Sequence, residues 1–178
     1  MSAGKSTVCR LLKEEGAYVV DADEITHRLL SLETAVGKKV LNLLGPEILT
    51  EKQIDRKKVA TIVFSNQEKL KALEDIIHPA VREEMKGEYE KVKNNPAFPF
   101  FVAEVPLLYE AHMETDFDTV WAVIGREPQN EEMFPRIERQ LPPALKAMMA
   151  DDVIDNSGDL AALQSQVKTL LRRIHENG

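Results

Sequence analysis

Ser2-Ala3-Gly4-Lys5-Ser6-Thr7 stands at the start of the chain and reads as the second half of a phosphate-binding loop. The full pattern is Gly, four residues, then Gly-Lys-Ser/Thr, set between a strand and a helix. Backbone N–H groups of such a loop face phosphate oxygens, and the helix that follows offers its positive N-terminus. Gly4 permits close backbone approach, Lys5 can reach the outer phosphates as a point charge, and the Ser6 hydroxyl is placed to ligate Mg²⁺. The pattern's first glycine would fall two residues before Met1, and the feeding strand would precede it. Thr7 to Glu15 carries a helical pattern, with Val8, Leu11 and Leu12 on one face and Gly16 closing it.

The next segments extend this opening into an α/β pattern. Ala17 to Val20 is a short run of strand formers ended by Asp21-Ala22-Asp23, and a helix with Ile25, Leu29 and Leu30 follows. Helix, strand, helix is half of a doubly wound unit, in which ligands bind at the carboxyl ends of the strands. Asp21 and Asp23 fall there. Two apart on an extended strand, their carboxylates would share a side. One could take the proton of an attacking hydroxyl while the other organises Mg²⁺. An isolated pair of this kind more often just caps a helix; its place one helix after Gly-Lys-Ser-Thr favours chemistry.

Residues 34–94 read as an all-helical insertion. Val36, Val40, Leu43 and Leu44 form a stripe ended by Gly45-Pro46. Asp55 looks like the cap of a helix to Phe64, Asn66 or Gln67 starts another through Ile77, and His78-Pro79 should interrupt it. Phe98 to Val105, Thr119 to Ile124 and Asp152 to Asp155 are further strands. Asp159 caps a last helix whose buried face is Leu160, Leu163, Val167, Leu170 and Leu171. Arg136, with Arg126 and Arg139, could neutralise transferred phosphate. Asn156 and Gly158 lie in a turn after a strand, a good place for a base to meet amide groups. Arg56, Lys57 and Lys58 could hold phosphate, although such a cluster is more often a solvated helix face.

The 178 residues suit one compact domain, or one core with a smaller appended lobe, and 43% apolar with 30% charged is ordinary globular composition. A formal net charge of −7 argues against non-specific nucleic-acid binding, which needs a basic face. The single cysteine, Cys9, fits a reducing compartment. No apolar run is long enough for a membrane helix.

Taken in order, these segments resemble the dephospho-coenzyme A kinase family. The resemblance rests on Gly4-Lys5-Ser6-Thr7, Asp21-Ala22-Asp23, Asp55-Arg56, His78-Pro79, Val105-Pro106-Leu107-Leu108-Tyr109-Glu110, Arg136-Ile137-Glu138-Arg139-Gln140 and Ala150-Asp151-Asp152-Val153-Ile154-Asp155-Asn156-Ser157-Gly158. Each motif is weak alone; the ordered set spans nearly the whole chain and is specific. The resemblance implies a P-loop kinase-like parallel sheet flanked by helices, a single domain over 1–178, with a helical CoA-binding insertion at 31–95 and a lid at 125–141. It implies ATP-dependent phosphorylation of the ribose 3′-hydroxyl of dephospho-CoA, the last step of coenzyme A synthesis, with Mg²⁺ as cofactor. By carry-over, Asp23 is the base, Lys5 and Arg136 stabilise the phosphoryl group, and Ser6 and Asp21 serve Mg²⁺. The loop Ser2 to Thr7, Arg136, Asn156 and Gly158 hold ATP. Asp23, Arg56, His78, Pro106, Leu107, Leu108 and Glu110 line the acceptor side. A cytoplasmic monomer or weak homo-oligomer is expected. The chain departs from the family's pattern at the front of the P-loop and in a shorter lid. Two other readings are a different P-loop small-molecule kinase and a nucleotide- or CoA-binding protein without catalysis. The helical insertion and the His-Pro and Pro-Leu-Leu motifs count against the first, and an assay with ATP and dephospho-CoA separates the second.

Overall fold

The computed structural model describes residues 4–125 and 140–177. The chain divides into two compact units, one of residues 1–19 and 95–178 and one of residues 20–94.

In the first unit, α1 (Lys5–Glu14) buries Val8, Leu11 and Leu12, spaced as one helical face. The backbone leaves the helix through Gly16 at φ 91°, the left-handed geometry glycine takes without steric cost. Strand β1 (Tyr18–Asp21), whose first two residues belong to this unit, is paired with β4 (Phe101–Glu104), and the Tyr18 N–H donates to Phe100 O at 2.8 Å. Strands β5 (Trp121–Ile124) and β6 (Asp152–Asp155) pair in parallel, Val123 opposite Ile154. Parallel neighbours need a crossover, and α6 (Pro143–Met149) lies in it. The β1–β4 and β5–β6 pairs are not hydrogen-bonded to each other among the described residues. Helix α7 (Leu160–Asn177) covers this unit's core with Leu163, Val167, Leu170 and Leu171, against Ile154 and the buried face of α1. Leu160, expected on that face, is 47% exposed; it is the first residue of α7 and precedes the turn that meets the core.

The second unit is mainly helical. Its helices are α2 (Ala22–Leu29), α3 (Ala35–Leu44), α4 (Arg56–Phe64) and α5 (Gln67–Val92). Val40, Leu44, Ile48, Val59, Val63, Leu70 and Leu73 form its core. Side chains cap each helix start. Thr34 Oγ1 accepts from Gly37 N at 2.8 Å, Asp55 Oδ1 from Lys57 N at 2.9 Å, and Asn66 Oδ1 from Lys69 N at 2.9 Å. Two sequence expectations fail here. An antiparallel hairpin, β2 (Leu49–Thr50) with β3 (Gln53–Ile54), interrupts the helices. Its turn, Glu51-Lys52, takes φ 51° and 62°, the conformation of tight hairpin turns usually supplied by Asn-Gly. Pro79 does not end the helix but lies inside α5. An interior proline costs about 3 kcal/mol in lost hydrogen bond and clash. The apolar stripe continues across it, with Leu70 and Leu73 buried before and Val81 and Met85 buried after, and that packing keeps the helix continuous.

Ile154 is fully buried at the centre of the first unit's core. Ile154→Ala should lower the unfolding free energy by about 2–5 kcal/mol, the range for deleting a buried aliphatic side chain. Urea denaturation checks this; a change below about 1 kcal/mol would mean the site collapses without a cavity.

Candidate active site

The loop at the start of the chain becomes the N-cap of α1. Gly4 sits at φ 86°, ψ 12°, and no side chain caps the helix. Thr7 N and Val8 N return to Gly4 O at 2.9 and 3.1 Å. The N–H groups of Lys5 and Ser6 belong to the first turn, which has no acceptor within its own helix. An anion placed there gains both donors and the helix dipole. Lys5 is half-buried and Ser6 exposed. Ser2 and Ala3 lie outside the described residues.

The turn after β6 meets this loop. A Cβ built on Gly4 would lie 2.6 Å from Asn156 Cγ and would overlap Asn156 Nδ2. The φ of 86° favours glycine, and any larger residue would also have to displace the Asn156 side chain. The turn itself is fastened at several points. Asn156 N donates to Ile124 O at 2.8 Å, Ser157 N to Asp155 Oδ1 at 2.8 Å, and the Gln166 side chain brackets Asp155 N and O at 2.9 Å each. The side-chain and backbone hydrogen bonds of Ser157 hold the Asp155 carboxyl below its ordinary pKa. Gly158 does not have a positive φ, and a Cβ there would make an ordinary 3.5 Å contact with Ala162.

In the second unit, Asp21 and Asp23 do not share one side of a strand. The helix begins at Ala22, so strand alternation stops at Asp21. Asp21 Oδ1 caps α2, accepting from Asp23 N at 2.7 Å and Glu24 N at 3.3 Å. Asp23 is exposed in the first turn and is not the cap. His27, one turn along the same face, lies 3.4 Å from Arg56 Nη1 through Nδ1. Residue order alone does not bring His27 to Arg56, 29 positions further on. Arg56 is the first residue of α4, beside its cap Asp55. That carboxyl is held below its ordinary value by the Thr50 hydroxyl and the N–H groups of Lys57 and Lys58. His78 is half-buried within α5.

The Pro106–Glu110 segment leaves the end of β4 as a tight turn, Ala111 N donating to Leu107 O and Met113 N to Leu108 O, both at 2.9 Å. Leu107 and Leu108 are half-buried. Glu110 is paired with Lys146 at 2.8 Å. Arg136, Arg126, Arg139 and most of 125–141 lie outside the described residues. Among the described residues no helix is long and apolar enough to cross a membrane.

A family model of dephospho-CoA kinases matches residues 1–162. The chain belongs to the dephospho-CoA kinase family. It is 43% identical over 188 residues to the dephospho-CoA kinase of Protochlamydia amoebophila, covering 98% of this chain and 92% of that one. It is 36% identical to that of Carboxydothermus hydrogenoformans, covering 97% and 90%. Among solved structures, a Thermus thermophilus protein matches with a TM-score of 0.79 at 30% identity, covering 96% of this chain and 92% of that chain. The dephospho-CoA kinase from Campylobacter jejuni matches with 0.72 at 25%, covering 99% and 94%. The P-loop kinase fold expected of the family is the fold observed, apart from the hairpin in its helical part.

For this dephospho-CoA kinase family member, Gly4→Ala should weaken ATP binding at least tenfold, since a Cβ strains the left-handed backbone of the loop and displaces the Asn156 side chain. Isothermal titration of ATP measures it. An affinity within twofold of the unsubstituted chain would show that the contact with Asn156 does not shape the phosphate loop.

Proposed function

We propose that the chain transfers the γ-phosphoryl group of ATP to the ribose 3′-hydroxyl of dephospho-CoA, giving coenzyme A and ADP, with the residues named below in those roles. The observation that carries this reading is the uncapped first turn of α1, closed against Asn156 at Gly4, in a chain of this family.

The N–H groups of Lys5 and Ser6 receive the phosphates, and the Lys5 ammonium sits with the charge that develops during transfer. Arg136 adds a second cation. Asn156 to Gly158 hold the adenine. Arg56, His78 and the Pro106 to Leu108 turn bind the acceptor. The fit to Mg²⁺ follows from the donors. The Ser6 hydroxyl is exposed, and the Asp21 cap engages Oδ1; Oδ2 lies outside that cap. A hydroxyl and a single carboxylate oxygen suit an ion that keeps several waters and binds substrate phosphates. When bound, Mg²⁺ neutralises charge on the phosphates. Asp23 accepts the 3′-hydroxyl proton as the oxygen bonds to the γ-phosphorus and the bond to the bridging oxygen breaks. In a loose transition state the base acts mainly by orienting the hydroxyl. The enzyme works in the cytoplasm as a monomer or weak homo-oligomer.

Because Asp21 and not Asp23 caps α2, the two carboxylates can be tested apart. Asp23→Asn should leave the fold and ATP affinity intact and lower kcat by about a hundred- to ten-thousandfold, the usual cost of a lost general base. Turnover near that of the unsubstituted chain would end the assignment. Lys5→Ala should reduce kcat by about a hundredfold or more. A rise in KM for ATP alone, with kcat unchanged, would make Lys5 a ground-state ligand instead.

A further inference from the structure

The Pro106–Glu110 turn is closed by a set of contacts that the family reading does not use. Lys146 Nζ, from α6, donates to Pro106 O at 2.8 Å and to Glu110 Oε1 at 2.8 Å. Leu141 N–H donates to the same carboxylate oxygen at 2.8 Å. One lysine therefore bridges the two ends of the turn, and one carboxylate ties that turn to the chain entering α6. The Lys146 and Glu110 side chains are 20% and 17% exposed. Glu110 Oε2 is shielded from solvent and has no hydrogen-bond partner among the described residues. A carboxylate with one oxygen engaged and the other enclosed cannot turn to a ligand without breaking the set.

We propose that Glu110 and Lys146 form a clasp that sets the Pro106–Glu110 turn for acceptor binding, with Glu110 a positioning residue and not an acceptor ligand. This rests on the reading above that the turn lines the acceptor site. The placement supports it: the turn follows the carboxyl end of β4, where open α/β sheets bind ligands. Electrostatics agree. Burial pushes the Glu110 carboxyl up, while Lys146, the Leu141 N–H and its own backbone N–H pull it down, and the balance lies below the ordinary value. Its charge is therefore kept at neutral pH. The neighbouring Tyr109 phenol is pushed up by burial and further by Asp151 and Glu114; among the described residues, Lys146 is the cation paired with Glu110.

The test uses the full chain and dephospho-CoA itself, with calorimetric affinity and melting temperature as readouts. Lys146→Met leaves a shielded carboxylate without its cation. It should weaken dephospho-CoA binding about tenfold and leave ATP affinity within about twofold. Glu110 then keeps the burial that pushes its carboxyl up and loses Lys146, the largest of the contacts that pull it down, so the variant's acceptor affinity should acquire a pH dependence that the unsubstituted chain lacks. Glu110→Gln placed on Lys146→Met removes the unpaired charge. The double variant should recover affinity to within about threefold and lose the pH dependence, as coupled neighbours do. Lys146→Arg keeps the cation, should bind normally, and serves if Lys146→Met does not fold. Lower melting temperature with unchanged dephospho-CoA affinity would overturn the proposal in favour of a purely structural pair. An equal loss from Glu110→Gln in both backgrounds would overturn it in favour of direct contact. An unsubstituted chain that fails to bind dephospho-CoA would overturn the acceptor reading itself, while the melting temperatures would still show whether the two residues are coupled.

Discussion

The first turn of α1 and the turn after β6 meet where Gly4 faces the Asn156 side chain. Gly4 lies against Asn156 with its backbone in the left-handed region, and the rest of the first unit holds the two turns at that separation. Val8, Leu11 and Leu12 fix α1 against Ile154 and α7. Gln166 on α7 fixes Asp155, the residue before Asn156. Helix α7 thus packs against α1 and also fastens the turn after β6. The ion pairs of Lys168 with Glu15 and Arg173 with Asp152 join the same elements at the surface. Exposed pairs of this kind contribute little stability, so the apolar contacts carry the alignment.

The second unit solves a different problem with two similar residues. Asp21 and Asp23 are chemically alike and two apart, yet the onset of α2 between them gives each its own task. Asp21 is drawn to backbone N–H groups that would otherwise lack acceptors. Asp23, one step into the helix, stays exposed to solvent. Similar local logic places Arg56. Its helix starts where Asp55 caps it, which puts the guanidinium at the helix entrance beside His27.

Much of this was legible in residue order. Asp55 and Asn66 mark their helices because a short polar side chain before an apolar-periodic run satisfies orphan N–H groups. The parallel strands show as apolar runs ending in polar turns. The hairpin was not legible, since Glu51 and Lys52 are unusual occupants of its two positive-φ positions and carry none of the glycine or asparagine signal. Pro79 misled because local chain chemistry says stop, whereas burial on both sides of it says continue. The Asp-Ala-Asp spacing misled about geometry, because a period of two holds only while the strand lasts. The partner of Glu110 could not be read at all: Lys146 looks like any lysine on a polar helix until the fold brings it to Pro106 O.

The chain's one tryptophan is Trp121, on β5, half-buried against the core of the first unit. The second unit, residues 20–94, contains none. Tryptophan emission is therefore a private signal of the first unit, whereas far-ultraviolet dichroism sums the helices of both units. Superimposable transitions by the two probes would mean that the halves unfold as one cooperative body; separated transitions would give each half its own stability. A single indole, placed by packing, thus makes the coupling between the two halves of the kinase readable without a label.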